Sequence, residues 1–161
     1  MSEPNIVLTR IDNRLIHGQV ATQWSSTINA NLLLVANDEV STNKFRQGLM
    51  DMAAPSYAKT RYFSLQKTID VIHKASPAQS IFIICESPSD VLTLVKGGVP
   101  IKKVNIGNMH MSDGKRQVAT SVAIDDADLE AFKELRDLGV ELEIRKVPSE
   151  RSENIKKIFE K

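Results

Sequence analysis

The sequence has few of the features that mark disulfide-rich, metal-cluster or nucleic-acid-binding proteins. Cys85 is the only cysteine among 161 residues, which excludes an internal disulfide and a cysteine metal cluster and fits a reducing cytosol. Aromatic residues make up 5% of the chain, and 21 basic against 20 acidic residues leave a net charge of +1. This balance predicts no nucleic acid partner, so any anion site must be local.

Long apolar runs are absent as well. The start MSEPNIVLTR does not combine a basic segment with a long apolar one, and no run approaches the ~18 apolar residues of a membrane span. We therefore expect a cytoplasmic protein without membrane insertion. With 42% hydrophobic and 25% charged residues, the composition predicts a single globular domain over residues 1–161.

Short apolar and β-branched runs alternate with segments of helical spacing, which predicts an α/β fold. Several of the runs are apolar on both faces, as expected for parallel strands with helices on each side. The predicted fold is a single open, mainly parallel β-sheet with helices on both faces and an antiparallel edge formed by residues 117–123. The other predicted strands are residues 6–9, 32–36, 60–63, 81–85, 104–106 and 142–147.

Capping residues define the predicted helices. Asp125 is a suitable N-cap for an apolar stripe that ends before Gly139, and Ser64 is a suitable N-cap for residues 65–74. Further helices are expected at residues 19–26, 42–52, 89–96 and 153–159.

The loop after the first strand contains the most informative residues. In open α/β sheets, ligands bind beyond the carboxyl ends of the strands. There, Arg10 and Arg14 precede His17 and Gly18. Glycine lets the backbone approach a ligand closely, and a helix N-terminus presents unpaired N–H groups to an anion. The pattern predicts an oxyanion site.

Histidine suits a temporary phosphoryl carrier, because one ring nitrogen can attack while a hydrogen bond holds the other. We expect Arg10 and Arg14 to offset the charge of the phosphoryl group, and Asp12 to orient an arginine or the imidazole. A histidine in such a loop is most often solvated or caps a helix. Because two arginines lie nearby, a catalytic role for His17 and such a structural role are about equally well supported. No cofactor and no metal are expected.

Residues 10–20 also resemble a family signature. Arg-Ile-Asp-x-Arg-Leu-Ile-His-Gly-Gln-Val is similar to the signature of the IIB components of mannose/fructose/sorbose-type sugar phosphotransferase systems, and Trp24 follows as in many members. The resemblance covers almost the entire chain. Asn108-Met109-His110 resembles members that serve N-acetylgalactosamine or galactosamine. Further matching segments are residues 35–40, 97–100, 104–109 and 114–117.

The resemblance implies a phosphotransferase that accepts phosphate on His17, at Nδ1, from a IIA partner. It implies transfer to a sugar held by the membrane components IIC and IID, with which the chain would associate peripherally at the inner face of the membrane. The sugar would be N-acetylgalactosamine, galactosamine or another hexose. Phosphate or partner contacts are expected from Gly18, Gln19, Asn105, Asn108 and His110, although turn chemistry explains the asparagines equally well and an exposed loop position explains His110.

Two other functions stay open at this point. A histidine phosphatase or mutase also uses a phosphorylated histidine, but such enzymes resemble Arg-His-Gly, whereas Arg14 lies three residues before His17. A receiver-like regulatory module would need a paired acidic cluster at the end of a central strand. Asp12 is isolated and Cys85 ends the candidate strand, so the sequence favours neither alternative.

Overall fold

One parallel sheet organises the fold. The structure, a computed structural model, describes residues 3–18 and 20–160. Six of the described strands form the sheet, in the order β3-β2-β4-β1-β5-β8, and every pairing in it is parallel. The predicted α/β class with a mainly parallel sheet is confirmed. The strands are β1 (Asn5–Asp12), β2 (Leu32–Ala36), β3 (Lys59–Phe63), β4 (Ser80–Cys85), β5 (Lys103–Asn108), β6 (Arg116–Ala119), β7 (Val122–Ile124) and β8 (Glu141–Ile144).

Helices cover both faces of this sheet. A π-helical turn (Val20–Trp24) leads into α1 (Ser25–Thr27) and covers one face together with α2 (Asp38–Ser41) and α3 (Lys44–Ala53). The other face is covered by α4 (Leu65–Val71), α5 (Pro88–Lys96), α6 (Asp126–Asp137) and α7 (Lys156–Phe159). Within the described ranges, no helix combines the length and apolar character that crossing a bilayer requires.

Strand β4 shows how the sheet separates two cores. Ile81, Ile83 and Cys85 pack on one face, and Phe82 and Ile84 pack on the other; all five are 0% exposed. Side chains of a strand alternate between faces, so a strand covered on both sides must be apolar throughout. This explains the continuous apolar run at residues 81–85.

The predicted helices are largely confirmed. Asp125 caps α6 in a capping box with Asp128, and Gly139 follows the helix with φ of +86°, the left-handed conformation that glycine adopts most readily. Ser64 caps α4, as predicted. The helix expected at residues 19–26 begins instead as a π-helical turn, and Gln19 lies outside the described residues.

Residues 117–123 differ from the prediction. The segment contributes to two short strands, β6 and β7, that form a separate antiparallel ribbon, rather than to one strand at the edge of the main sheet. A turn at Thr120 and Ser121 reverses the chain. The main sheet therefore ends at β3 on one side and at β8 on the other.

Candidate functional site

The candidate site lies at the carboxyl end of β1, between β4 and β5. The chain turns sharply there, because the Leu15 amide donates to the Asp12 carbonyl oxygen at 2.9 Å. Leu15 has φ of +60°, a conformation that is uncommon for residues other than glycine. Its side chain is completely buried, so core packing stabilises an otherwise unfavourable backbone. The turn brings His17 back over the end of the strand.

His17 is hydrogen-bonded to the Asp12 carboxylate, with 2.9 Å between Nε2 and Oδ2. Burial raises the pKa of Asp12, but hydrogen bonds from His17 and from the Arg14 amide, together with the charge of Arg10, outweigh it and hold the pKa below its ordinary value. An ionised carboxylate only accepts hydrogen bonds, so Nε2 carries a proton, and in the neutral ring Nδ1 keeps its lone pair. The His17 side chain is 20% exposed, whereas that of Asp12 is fully buried.

Arg10 lies beneath the site. Nη1 donates to Asn105 Oδ1 at 2.5 Å and Nη2 donates to Asp12 Oδ2 at 3.2 Å. The carbonyl oxygens of Arg145 and Lys146 accept further bonds from the guanidinium at 3.1 and 3.0 Å. With its side chain 0% exposed, Arg10 does not meet a phosphoryl group directly, which corrects the expectation from the sequence. It neutralises and orients Asp12 instead.

Two further residues lie against the Arg10 guanidinium. A Cβ added to Gly107 on β5 would lie 2.0 Å from Arg10 Cζ. The Trp24 ring centroid is 5.3 Å from the same atom, and Trp24 Nε1 donates to the Lys146 carbonyl at 3.0 Å. Gly107 was not among the site residues expected from the sequence. The available signal was a glycine inside a buried strand, which often marks a close approach by another group.

Arg14 is the accessible cation of the site. Its side chain is 44% exposed. The Arg14 amide and Nε donate to Asp12 Oδ1 at 3.0 and 3.3 Å, and Nη2 donates to Oδ2 at 3.4 Å. Arg14 and His17 thus share one carboxylate, which places a positive charge beside the imidazole.

The two asparagines expected to bind phosphate have structural contacts. Asn105 is fully buried; it accepts from Arg10 and donates to the Arg145 carbonyl, so the expected phosphate contact by Asn105 is wrong. Asn108 Nδ2 donates to Asn13 Oδ1 at 2.5 Å, and the Asn13 amide donates to the Asn108 carbonyl at 3.1 Å. These bonds attach the turn after β1 to the end of β5.

The other predicted contact residues lie at the surface or outside the described part. Gly18 is exposed, and apart from its chain neighbours and the local helix backbone no described atom lies within 4 Å of an added Cβ. His110 is exposed in the loop after β5, and no hydrogen bond joins it to the described site residues. Gln19 is outside the described residues, so its position is not part of the site geometry.

The fold and the site define an α/β protein that presents one carboxylate-bound imidazole at the carboxyl end of a central parallel strand. Comparison with known proteins identifies the family. Residues 6–161 match the family model for the PTS system sorbose subfamily IIB component. The chain belongs to this family, and its role is that of a phosphotransferase. Neither the phosphatase or mutase alternative nor the receiver alternative is supported.

Individual relatives agree with this assignment. The chain is 49% identical over 156 residues to the N-acetylgalactosamine-specific phosphotransferase enzyme IIB component 2 of Escherichia coli (strain K12), covering 97% of this chain and 99% of that protein. The crystal structure of N-acetylgalactosamine-specific IIB component 1 from Escherichia coli superposes with a TM-score of 0.90 at 49% identity, covering 94% and 99% of the two chains. The crystal structure of the IIB domain of the sorbose permease from Klebsiella pneumoniae superposes with a TM-score of 0.89 at 43% identity, covering 96% of each chain.

Proposed function

We propose that this chain accepts a phosphoryl group on Nδ1 of His17 from a phosphorylated IIA partner and passes it to a sugar held by membrane components IIC and IID. Residues 1–161 act as one carrier domain, in the cytoplasm at the inner face of the membrane. The strongest support is the 2.9 Å contact between His17 Nε2 and the buried Asp12 carboxylate, because it leaves a single nitrogen free for attack.

The transfer follows from this geometry. The Nδ1 lone pair forms the new P–N bond while the P–N bond to the donor histidine breaks, and the donor imidazole departs with its electron pair. The acceptor ring gains positive charge, which Asp12 balances through Nε2–H. The transition state of phosphoryl transfer is loose, so positioning and charge stabilisation supply most of the catalysis. Arg14, partly exposed beside the ring, meets the phosphoryl oxygens.

The partner surface surrounds His17. Gly18 has open space where a side chain would lie, so a donor domain can approach the backbone closely. His110, exposed in the loop after β5, contacts the phosphate or the partner, and the same contact is proposed for Gln19 from the family resemblance. For the sugar, relatives named for N-acetylgalactosamine at 49% identity support N-acetylgalactosamine, with galactosamine or another hexose as alternatives.

A phosphorylation assay tests the carrier function. The chain is incubated with labelled phosphoenolpyruvate, the general phosphotransferase proteins and a matching IIA. An acid-labile, base-stable label is expected on the wild type and on His110→Ala, and no label on His17→Ala. Label retained by His17→Ala, or lost only in His110→Ala, would contradict the assignment.

A transport assay tests the sugar. Cells that carry the whole system are supplied with radiolabelled N-acetylgalactosamine, galactosamine and other hexoses. Uptake of N-acetylgalactosamine that depends on His17 is expected. Uptake of a different hexose alone would replace N-acetylgalactosamine without changing the carrier assignment.

A further inference from the structure

Part of the exposed surface of α3 is apolar. Phe45, Leu49 and Met52 recur at spacings of four and three residues, so they share one helix face. They are 76%, 53% and 84% exposed, whereas Met50 packs into the core at 6% exposure. A surface helix normally turns polar residues outward. We call Phe45, Leu49 and Met52 the α3 stripe.

A basic cleft lies between α3 and the edge strand β3, on the side of α3 that carries Lys44, Gln47 and Asp51. The cleft has a volume of about 430 Å³, and Lys44, Arg61 and Lys67 line it. All three cations are exposed, and in the part of the chain that the structure describes none has a carboxylate within 4 Å. Asp51, which also lines the cleft, accepts a hydrogen bond from the Thr60 hydroxyl at 2.6 Å. The cleft therefore has a local positive charge, although the whole chain is nearly neutral.

We propose that the α3 stripe and the basic cleft together form a contact surface for an anionic lipid bilayer. Interfacial helices insert Phe and Leu side chains between lipids and keep Lys and Arg at the level of the phosphates. Lys44, Arg61 and Lys67 complement that negative charge; Lys67 Nζ also lies 4.5 Å from the Phe63 ring centroid. The α3 stripe contains far fewer than the ~20–30 residues that each side of a standard protein interface contributes. A bilayer needs no surface of complementary shape, so it is the better candidate for this contact.

The position of α3 suggests how a lipid contact would serve the carrier. Helix α3 follows β2 and leads into the parallel strand β3, so it begins at the same edge of the sheet as His17 and runs back along the face. A carrier resting on α3 would keep its site beside the membrane, which raises the effective concentration of the carrier near a membrane-embedded acceptor. The lipid contact goes beyond the carrier function and does not require phosphate on His17.

Vesicle sedimentation tests the proposal with the full chain. The probes are vesicles of phosphatidylcholine alone and of phosphatidylcholine with phosphatidylglycerol, at low ionic strength. Binding is expected only to the phosphatidylglycerol vesicles and should weaken with added salt, because salt screens exposed charges. Lys44→Ala, Arg61→Ala and Lys67→Ala should each weaken binding about fivefold. The triple variant Phe45→Ser/Leu49→Ser/Met52→Ser should weaken it at least about tenfold.

Matched controls separate this surface from general stickiness. Leu138, 54% exposed after α6, and the exposed Lys102 lie outside it, so Leu138→Ser and Lys102→Ala should bind like the wild type. His17→Ala should also bind normally, and the triple variant should still be labelled in solution; lipid contact and carrier function are therefore measured separately. Equal binding to both vesicle types, or full binding by the triple variant, would overturn the proposal. Binding only to vesicles that contain IIC and IID would identify a protein partner and equally overturn it.

Discussion

Asp12 is the residue on which the site depends. One buried carboxylate accepts hydrogen bonds from His17, Arg14 and Arg10, and such a charge is tolerable in the interior only with these partners. The sequence predicted that Asp12 would orient the imidazole or an arginine. It did not show that the two arginines divide their roles, because adjacency in sequence does not reveal that Arg10 points into the sheet while Arg14 lies on the turn.

The two arginines are expected to differ in their effect on stability. Arg10→Ala should lower the free energy of unfolding by about 3–5 kcal/mol, because it leaves the Asp12 carboxylate without its buried partner. Arg14→Ala should lower it by less than about 1 kcal/mol, since the side chain is 44% exposed, yet it should slow phosphoryl transfer. Denaturant unfolding and the rate of label uptake measure the two effects. Equal losses of stability would show that Arg10 is not the buried partner.

Two glycines provide a second contrast at the residue scale. Gly107→Ala should destabilise the fold by about 1–3 kcal/mol, because the new Cβ would overlap the Arg10 guanidinium. Displacing Arg10 should also weaken the bond between Asp12 and His17, which ¹⁵N NMR of the imidazole reports. Gly18→Ala is the control, since nothing described lies near its Cβ and its unfolding should change by less than about 0.5 kcal/mol. Unchanged imidazole signals in Gly107→Ala would show that Gly107 does not position His17.

At the scale of elements, the strands were predictable and the turns were not. The runs at residues 32–36 and 81–85 are apolar throughout because both faces of these strands are buried. Such a continuous apolar run can be recognised in a single sequence. The turn before His17 depends on Leu15 at positive φ, where sequence rules favour glycine or asparagine. Strands β6 and β7 are joined by a turn of only two residues. The polar and apolar residues of this segment alternate imperfectly, so the pattern does not show that the chain reverses there.

Asp90, at the start of α5, should titrate at an unusually high pH for a carboxylate. Burial raises the pKa of Asp90 to about 6, and the charges of Glu86 and Asp38 add to the effect. The folded pKa exceeds the ordinary value of ~3.9, so the stability contributed by protonated Asp90 is fully present below about pH 4 and is lost as pH rises through about 6. An NMR titration of the side-chain carboxyl should have its midpoint near 6.

Charge-removing variants test the cause of this shift. Glu86→Gln should lower the Asp90 midpoint, because it removes a nearby like charge. Glu134→Gln is the matched control; Glu134 lies on α6 and pairs with Lys96 at 2.7 Å, so the midpoint should stay in place. A wild-type midpoint near the ordinary value of ~3.9 would contradict the expected burial effect.

At the scale of the whole molecule, strand order explains why the site lies where it does. Strands β1 and β4 are neighbours, but the segment after β1 packs on one face and α5, after β4, packs on the other. Such a divergence opens a crevice at the carboxyl ends of the two strands, and His17 lies there. The sequence pointed to this edge, but it could not supply the order, because strand order depends on pairings between residues far apart in the chain.

The same architecture predicts how stability is distributed. Strand β4 pairs with β1 on one side and β2 on the other, and residues 81–85 are 0% exposed. The ribbon of β6 and β7 lies outside the main sheet, although β7 is buried and is hydrogen-bonded to Met109 at the end of β5. Amide hydrogen exchange should therefore be slowest in β4, with opening free energies close to that of global unfolding, and distinctly faster in β6 and β7.

Phosphorylation should leave this pattern in place. His17 follows a strand that is paired directly to β4, so the site rests on the part of the sheet where we expect the slowest exchange, as precise positioning of a reacting group requires. Comparison of the free and phosphorylated chains should show changed exchange at residues 13–18 and unchanged exchange in β4. Exchange in β4 that is faster than in β6 and β7, or that rises on phosphorylation, would mean that the centre of the sheet opens during the carrier cycle instead of serving as a fixed support.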